Sequence, residues 1–121
     1  IYAFPEVASV GLTEEQAKEQ GLAYHVGVFP LSANGRSLIL NGGKGTVKVL
    51  VGDELGEVLG VHILGPNATE IIGEAAVAME MEATAEEIIN TVHAHPSVSE
   101  ALREAFLASE GRAIHIPNKK R

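Results

Sequence analysis

The chain lacks cysteine and tryptophan entirely, and its basic residues are few, with 9 Lys and Arg against 16 Asp and Glu. Without cysteine, the chain itself cannot supply a disulfide scaffold, a thiolate metal site or a redox thiol, and a reduced compartment is compatible with that. The net charge of −7 disfavours nucleic acid or an anionic membrane as a partner, because both attract a basic surface. The only basic cluster, Lys119-Lys120-Arg121, is interpreted as a solvated tail.

Long hydrophobic runs are also missing. No stretch approaches the roughly 18 apolar residues that a membrane-spanning helix needs, and no signal-peptide pattern stands at the start. The chain opens on Ile1 rather than Met, so we expect a processed product or a piece of a longer protein. Its 121 residues, 45% of them hydrophobic, fit a single domain over residues 1–121 with one hydrophobic core.

Four segments carry the start signals and the 3.6-residue period of amphipathic helices. Capping-box spacings predict helix starts at Thr13, Asn67, Thr84 and Ser97, and Gly21 and Gly111 end the first and the last helix. The apolar faces that we expect to be buried are, in the second helix, Ala68, Ile71, Ile72, Ala75, Ala76 and Met79; in the third, Ala85, Ile88, Ile89 and Val92; and in the fourth, Val98, Ala101, Leu102, Ala105 and Phe106.

Three segments instead alternate with the period of two that is typical of strands: residues 22–30, 46–51 and 57–64. Residues sharing a face are Tyr24, Val26 and Val28; Val47, Val49 and Val51; and Leu59, Val61 and Ile63. The short connection 53–56 predicts an antiparallel hairpin, and Asn34-Gly35 and Asn41-Gly42-Gly43 indicate turns. Strands followed by helices predict an α+β fold, an antiparallel sheet with helices packed on one face.

Some apparent sites have simpler explanations. The segment 42–46, GGKGT, resembles a phosphate loop only faintly and leads into a strand, so a hairpin turn is favoured over a phosphate site. His25 and His62 lie in strand patterns, where a lone histidine is usually a surface group or a half-buried one with its hydrogen bonds satisfied.

The segment 91–106, TVHAHPSVSEALREAF, places two histidines before the last predicted helix. A metal site would use His93 and His95 with Glu100 as a third ligand, although no fourth ligand is marked. A general base needs one imidazole and a carboxylate that fixes its tautomer, and Glu100 could reach back to His95. Ser97 and Glu100 also have the spacing of a helix cap, which spacing alone favours. At this point the histidines are loop residues, one of which could be a base.

The same segment resembles a known family signature. Residues 93–100, HAHPSVSE, are similar to the His-x-His-Pro-Thr-Leu-Ser-Glu motif at the C-terminus of the dihydrolipoamide dehydrogenase family, which are flavin-dependent disulfide reductases. Residues 5–14, PEVASVGLTE, resemble the start of that family's last domain, and 60–65 and 70–72 resemble its strand-to-helix segment. Ser97 and Val98 replace Thr and Leu and keep a hydroxyl and an apolar side chain. Separated motifs in the right order make the resemblance specific.

The resemblance implies an interface domain that forms a two-fold homodimer. It implies that His95 is a base oriented by Glu100, contributed across the interface to the partner's flavin and redox disulfide, whereas His93 is a bystander. The base would take a proton from a dihydrolipoyl thiol, because the thiolate attacks disulfides. FAD and NAD⁺ would then carry the electrons, and the partners would be the lipoyl-bearing components of a 2-oxoacid dehydrogenase complex.

The segments that would bind those cofactors are not in this chain. No Gly-x-Gly-x-x-Gly follows a strand and there is no cysteine pair, so we expect the chain alone to bind no flavin and to be inactive. The resemblance favours a bacterial cytoplasm and also admits a mitochondrial matrix. The alternatives are the interface domain of a glutathione reductase-like enzyme and a non-enzymatic self-association module.

Overall fold

The computed structural model describes residues 6–118, which form an antiparallel sheet and the helices packed on it. The strands of these residues are β1 (Glu6–Gly11), β2 (Tyr24–Pro30), β3 (Thr46–Gly52) and β4 (Val58–Gly65), in the order β1-β4-β3-β2 across the sheet. The helices are α1 (Glu14–Glu19), α2 (Gly35–Asn41), α3 (Ala68–Glu80), α4 (Ala85–Ile89) and α5 (Glu100–Ser109), with a 3₁₀ turn at Leu31–Ala33. The predicted α+β class is confirmed.

The core lies between one face of the sheet and the helices that follow it. Val47, Val49 and Val51 alternate along β3 and are fully buried, as their spacing predicts. Helix α3 packs on β1 and β4, and α5 packs on β2 and β3. A Cβ added at Gly27 would lie 2.0 Å from the carbonyl oxygen of Ala105. Helix α5 therefore approaches β2 so closely that only glycine fits there.

The opposite face of the sheet is more polar and is partly covered by α1. Thr13 begins α1 with the predicted capping box, and Glu14 of this helix pairs with Lys48 of β3 and accepts a 3.1 Å hydrogen bond from the hydroxyl of Tyr24. His62 of β4, on this face as predicted, lies 2.8 Å from the carbonyl oxygen of Leu12. The edges of this face remain exposed.

Some boundaries and faces differ from the predictions. Asn67 has a left-handed backbone and its side chain does not cap α3, and the Thr84 side chain does not cap α4. Ala76 and Val92 are exposed, Val92 because α4 ends at Ile89 and the chain turns away before the next period. On β2, Tyr24, Val26 and Val28 share a face as predicted, and the opposite, core face carries Gly27 and Phe29.

Two elements were not predicted: the edge strand β1 and the helix α2. Asn34 accepts from the backbone N–H of Ser37 at 2.8 Å, so Asn34-Gly35 begins a helix instead of a turn. Gly42 has a positive φ of 75° and ends that helix. Residues 42–46 consequently join a helix to a strand, and the predicted hairpin turn is wrong. The hairpin at 53–56 is confirmed, because β3 and β4 pair antiparallel across it.

Within residues 6–118, every helix is too short or too polar to cross a membrane. The basic cluster Lys119-Lys120-Arg121 and the first residue of the segment 5–14 lie outside the described residues.

Candidate functional site

The predicted histidine–carboxylate pair is present in the loop between α4 and α5. His95 Nδ1 lies 2.9 Å and 3.0 Å from the two carboxylate oxygens of Glu100, the first residue of α5. The peptide bond between His95 and Pro96 is cis. The loop thus brings the imidazole and the carboxylate together, a contact that the sequence spacing alone did not decide.

Glu100 makes the helix-cap contacts at the same time. Its Oε1 accepts a hydrogen bond from the backbone N–H of Ser97 at 2.8 Å, and the Ser97 hydroxyl accepts one from the N–H of Glu100 at 3.3 Å. The predicted N-cap position is wrong, because α5 begins at Glu100 and is preceded by Ser99. The reciprocal bonds between Ser97 and Glu100 and the pairing with His95, which were weighed as alternatives from the sequence, are both present. The bonds with Ser97 therefore hold the carboxylate in the position in which it contacts His95.

The surroundings of Glu100 favour its ionised form. Partial burial by itself would raise the pKa of this carboxyl, but the hydrogen bonds from His95 and from the backbone N–H of Ser97 outweigh that effect, so the pKa is lowered. His95 and His115 add a favourable Coulomb interaction. Glu100 is consequently a carboxylate near neutral pH, which is the form that can accept a hydrogen from an imidazole.

The orientation of the His95 ring follows from this contact. An ionised carboxylate only accepts hydrogen bonds, so Nδ1 of His95 carries the hydrogen that it donates to Glu100. In the neutral ring Nε2 then has a free lone pair. The His95 side chain is 79% exposed, so a substrate from outside this chain can reach that nitrogen. The arrangement is chemically that of a general base with its orienting carboxylate.

His93 lies apart from this pair. Its side chain is only 6% exposed, with Nε2 placed 2.7 Å from the carboxylate of Glu74 in α3. Its Nδ1 lies 3.0 Å from the carbonyl oxygen of Thr91. Over the part of the chain that is described, no group of three or more His, Cys, Asp or Glu side chains is placed to hold a metal ion.

Two residues that sequence reasoning missed support the loop. The side-chain amide of the buried Asn34 donates to the carbonyl oxygen of Ser97 at 2.9 Å. Nε of Arg103 donates to the carbonyl oxygen of Ile89 at 2.7 Å. Asn is itself a preferred N-cap residue, so Asn34 carries a helix-start signal. Reading that signal would have identified the cap, although not the contact with a loop far along the chain.

His25 and the cavity beside it lie apart from the pair, whereas a second cleft borders Glu100. His25 has its Nδ1 2.7 Å from Asp53 and its Nε2 3.4 Å from Glu110, and a cavity of about 580 Å³ opens beside it. A cleft of about 380 Å³ borders Glu100 and is lined by both acidic and basic side chains, among them Arg103, Glu104 and His115. Glu104, although buried, accepts from the backbone N–H of Ile114 at 3.1 Å, and this contact fixes the wall of that cleft.

Comparison with known proteins gives matches over most of the chain. Residues 1–106 match the family model described as the pyridine nucleotide-disulphide oxidoreductase dimerisation domain. The chain is 49% identical over 116 residues to the mitochondrial dihydrolipoyl dehydrogenase of Pisum sativum, with 96% of this chain and 23% of that protein covered. It is 52% identical over 116 residues to dihydrolipoyl dehydrogenase 3 of Pseudomonas putida, covering 96% and 25% respectively.

Solved structures show the same fold. The flavoprotein disulfide reductase RclA of Escherichia coli matches with a TM-score of 0.81 at 30% identity, over 84% of this chain and 23% of RclA. LpdA of Mycobacterium tuberculosis matches with a TM-score of 0.79 at 30% identity, over 84% and 22%. The chain spans about a quarter of the length of the relatives it matches. The resemblance noted from the sequence motifs is confirmed, and the chain belongs to the pyridine nucleotide-disulphide oxidoreductase dimerisation domain family.

Proposed function

We propose that this chain is the dimerisation domain of a dihydrolipoamide dehydrogenase and that His95 is the base of its reaction. The observation that carries the proposal is the contact of His95 Nδ1 with Glu100, which leaves Nε2 of an exposed imidazole available. The identities of 49% and 52% to dihydrolipoyl dehydrogenases support the same choice of enzyme.

In the proposed reaction His95 acts on a thiol of the dihydrolipoyl group. Nε2 takes the proton from the S–H bond, and the positive charge formed on the ring is stabilised by the Glu100 carboxylate 2.9 Å from Nδ1. The resulting thiolate attacks one sulfur of the enzyme disulfide, because the thiolate and not the thiol is the nucleophile, and the S–S bond breaks to give a mixed disulfide and one cysteine thiolate. The second dihydrolipoyl thiol then displaces the other cysteine, so the lipoyl disulfide closes and both cysteines of the enzyme are reduced. FAD and NAD⁺, when bound, supply the two-electron acceptor chemistry. His95 afterwards returns its proton to solvent.

The disulfide and both cofactors would be held by other parts of the complete enzyme. This chain contains no cysteine, and its relatives are about four times as long as the matched region. The 79% exposure of His95 fits a residue that completes a site on another subunit. We infer that the base of each subunit serves the flavin and disulfide of its partner, and that the isolated domain over residues 1–121 is inactive.

The lipoyl-bearing components of a 2-oxoacid dehydrogenase complex would deliver the substrate. Relatives include both a mitochondrial enzyme and a bacterial one, and we favour a bacterial cytoplasm for this protein. A glutathione reductase-like activity is the second candidate, because the solved relatives include flavoprotein disulfide reductases of other kinds. Assay of the complete enzyme with oxidised glutathione against dihydrolipoamide separates the two substrates.

The test of the proposed base is His95→Gln in the complete enzyme that contains this domain. Reduction of NAD⁺ by dihydrolipoamide should fall by about 10² to 10⁴, the usual contribution of a positioned base. Oxidation of NADH by ferricyanide, which needs no thiol deprotonation, should be retained. His25→Gln is the matched control, because His25 also contacts a carboxylate at 2.7 Å. Wild-type turnover in His95→Gln would overturn the proposal.

A further inference from the structure

His93 is less exposed than His95, the other histidine of the loop that carries the candidate base. Its side chain is 6% exposed, against 79% for that of His95. Both of its ring nitrogens have partners: the Thr91 carbonyl oxygen lies 3.0 Å from Nδ1, and the Glu74 carboxylate lies 2.7 Å from Nε2. The ring is thus held at both ends, by one partner in its own loop and by one in α3.

The two partners of His93 are both acceptors. A carboxylate oxygen cannot donate, so Nε2 of His93 donates to Glu74. A hydrogen bond to an ionised acceptor is charge-assisted, which makes it short and roughly twice as strong as a neutral one. The 2.7 Å separation from Glu74 agrees with a bond of this kind.

The contact with Glu74 joins the loop to the rigid part of the fold. Glu74 lies on α3, which packs against β1 and β4. The Thr91 hydroxyl, on the other side of His93, donates to the carbonyl oxygen of Glu87 in α4 at 2.8 Å. His93 therefore connects α3 with the end of α4 at the point where the chain leaves that helix.

A second anchor lies beyond His95. The Asn34 amide donates to the carbonyl oxygen of Ser97 at 2.9 Å, and Asn34 itself is fixed by Ser37 at the start of α2. His93 precedes His95 by two residues and Ser97 follows it by two. The candidate base consequently sits midway between two points at which the loop is bonded to the body of the domain.

We propose that His93 and Glu74 are positioning residues for the base, a role that rests on the proposed function of His95. They touch neither substrate nor cofactor. Their bond sets the path of the loop 91–97, and that path places the His95 ring on the Glu100 carboxylate. Because a misplacement of about 1 Å can lower an enzymatic rate about 10²-fold, loss of the bond reduces turnover without removing the base.

The test uses the complete enzyme with dihydrolipoamide and NAD⁺. His93→Gln should lower kcat by about 10-fold to 10²-fold, with KM for NAD⁺ and ferricyanide reduction by NADH unchanged. Glu74→Gln keeps an acceptor oxygen for Nε2 and should retain more turnover than Glu74→Ala. His25→Gln is the matched control, since it breaks a 2.7 Å histidine–carboxylate contact elsewhere. If His93→Gln fails to fold, the order of the two Glu74 variants decides.

The double variant His93→Gln/His95→Gln distinguishes a positioning role of His93 from a general structural effect. If His93 acts through His95, then His93→Gln should have no further effect on kcat in an enzyme already carrying His95→Gln. Additive losses would overturn the positioning role, as would wild-type kcat in His93→Gln or equal kcat values for the two Glu74 variants. A large loss in His95→Gln with no loss in His93→Gln defeats this inference alone. No loss in His95→Gln defeats the proposed function and this inference with it.

Discussion

Ser97 and Glu100 bond to each other in both directions: the backbone N–H of Ser97 donates to Oε1 of Glu100 at 2.8 Å, and the N–H of Glu100 faces the Ser97 hydroxyl at 3.3 Å. The same Oε1 lies 2.9 Å from Nδ1 of His95. One carboxylate therefore stabilises a helix start and orients an imidazole. The two effects can be separated by mutation, because the first uses the hydroxyl and N–H of Ser97 and the second uses the ring of His95.

Substitution at these two positions should affect different quantities. Ser97→Ala removes the hydroxyl that faces the N–H of Glu100 and should lower the free energy of unfolding by about 1 kcal/mol. Turnover of the complete enzyme should stay close to wild type, because the backbone N–H of residue 97 still holds the Glu100 carboxylate. Glu100→Gln should lower turnover, by less than His95→Gln does, because the neutral amide stabilises the charged ring poorly. Denaturant unfolding and steady-state kinetics measure the two effects. If Glu100→Gln lost stability without losing rate, Glu100 would act only in the helix start and not through His95.

Gly27 should be intolerant of any side chain. A Cβ there would meet the Ala105 carbonyl oxygen at 2.0 Å and the Ser109 nitrogen at 2.7 Å, so Gly27→Ala forces α5 away from β2. We expect a loss of about 1–3 kcal/mol or more, typical of overpacking. Gly73 in α3 is the control, because nothing lies within 4 Å of a Cβ built on it. Gly73→Ala should stabilise the helix by about 0.5–1 kcal/mol. Thermal unfolding of both variants checks the contrast.

Glu14 should contribute to loss of stability in acid. Its hydrogen bond with Lys48 lowers its pKa below the ordinary 4.5, against the opposing effect of burial. A carboxyl with a lowered folded pKa stabilises the fold above its unfolded pKa, and that stabilisation is lost as the pH falls through the folded value. Urea unfolding between about pH 6 and pH 3 should show a shallower pH dependence for Glu14→Gln than for wild type. Identical pH profiles would contradict this.

Helix α2 should take part in the self-association that the family model implies. Leu38, Ile39 and Leu40 are consecutive and exposed, and contiguous exposed aliphatic side chains mark interaction surfaces. Ile39→Ser should weaken the dimer in sedimentation equilibrium. Leu55→Ser is matched to it, because both side chains are 74% exposed and Leu55 lies in the β3–β4 turn. Equal dissociation constants for the two variants would place the interface elsewhere.

Much of the fold followed from local patterns. The alternation of valines in β3 and the 3.6-residue period of α5 predict buried faces because each element covers one side of a single core. The strand β1 was not predicted, since its pairing with β4 joins residues distant in sequence and its own pattern is weak. The pattern predicted that Tyr24, Val26 and Val28 share a face of β2 but not which face enters the core, because the close packing of α5 selects Gly27 for the core and leaves Val26 and Val28 outside.

The candidate site was predictable in part. Spacing placed Glu100 within reach of His95, and the resemblance favoured their pairing, but neither indicated that cap and pair coexist. The contacts of His93 with Glu74 and of Ser97 with Asn34 join segments 19 and 63 residues apart. Contacts of this kind depend on where α2 and α3 lie in the folded chain, which no local pattern contains.

The order of the strands also determines which part of the sheet is most easily opened. Hairpin β3–β4 closes over a few residues, so its loop-closure entropy is small, whereas the pairing of Glu6 with Gly65 closes nearly the whole first half of the chain. Strand β1 is in addition bonded on one side only. We therefore expect amide hydrogens of β3 and β4 to exchange with solvent only on global unfolding, and those of β1 to exchange through local detachment that leaves the rest of the sheet intact.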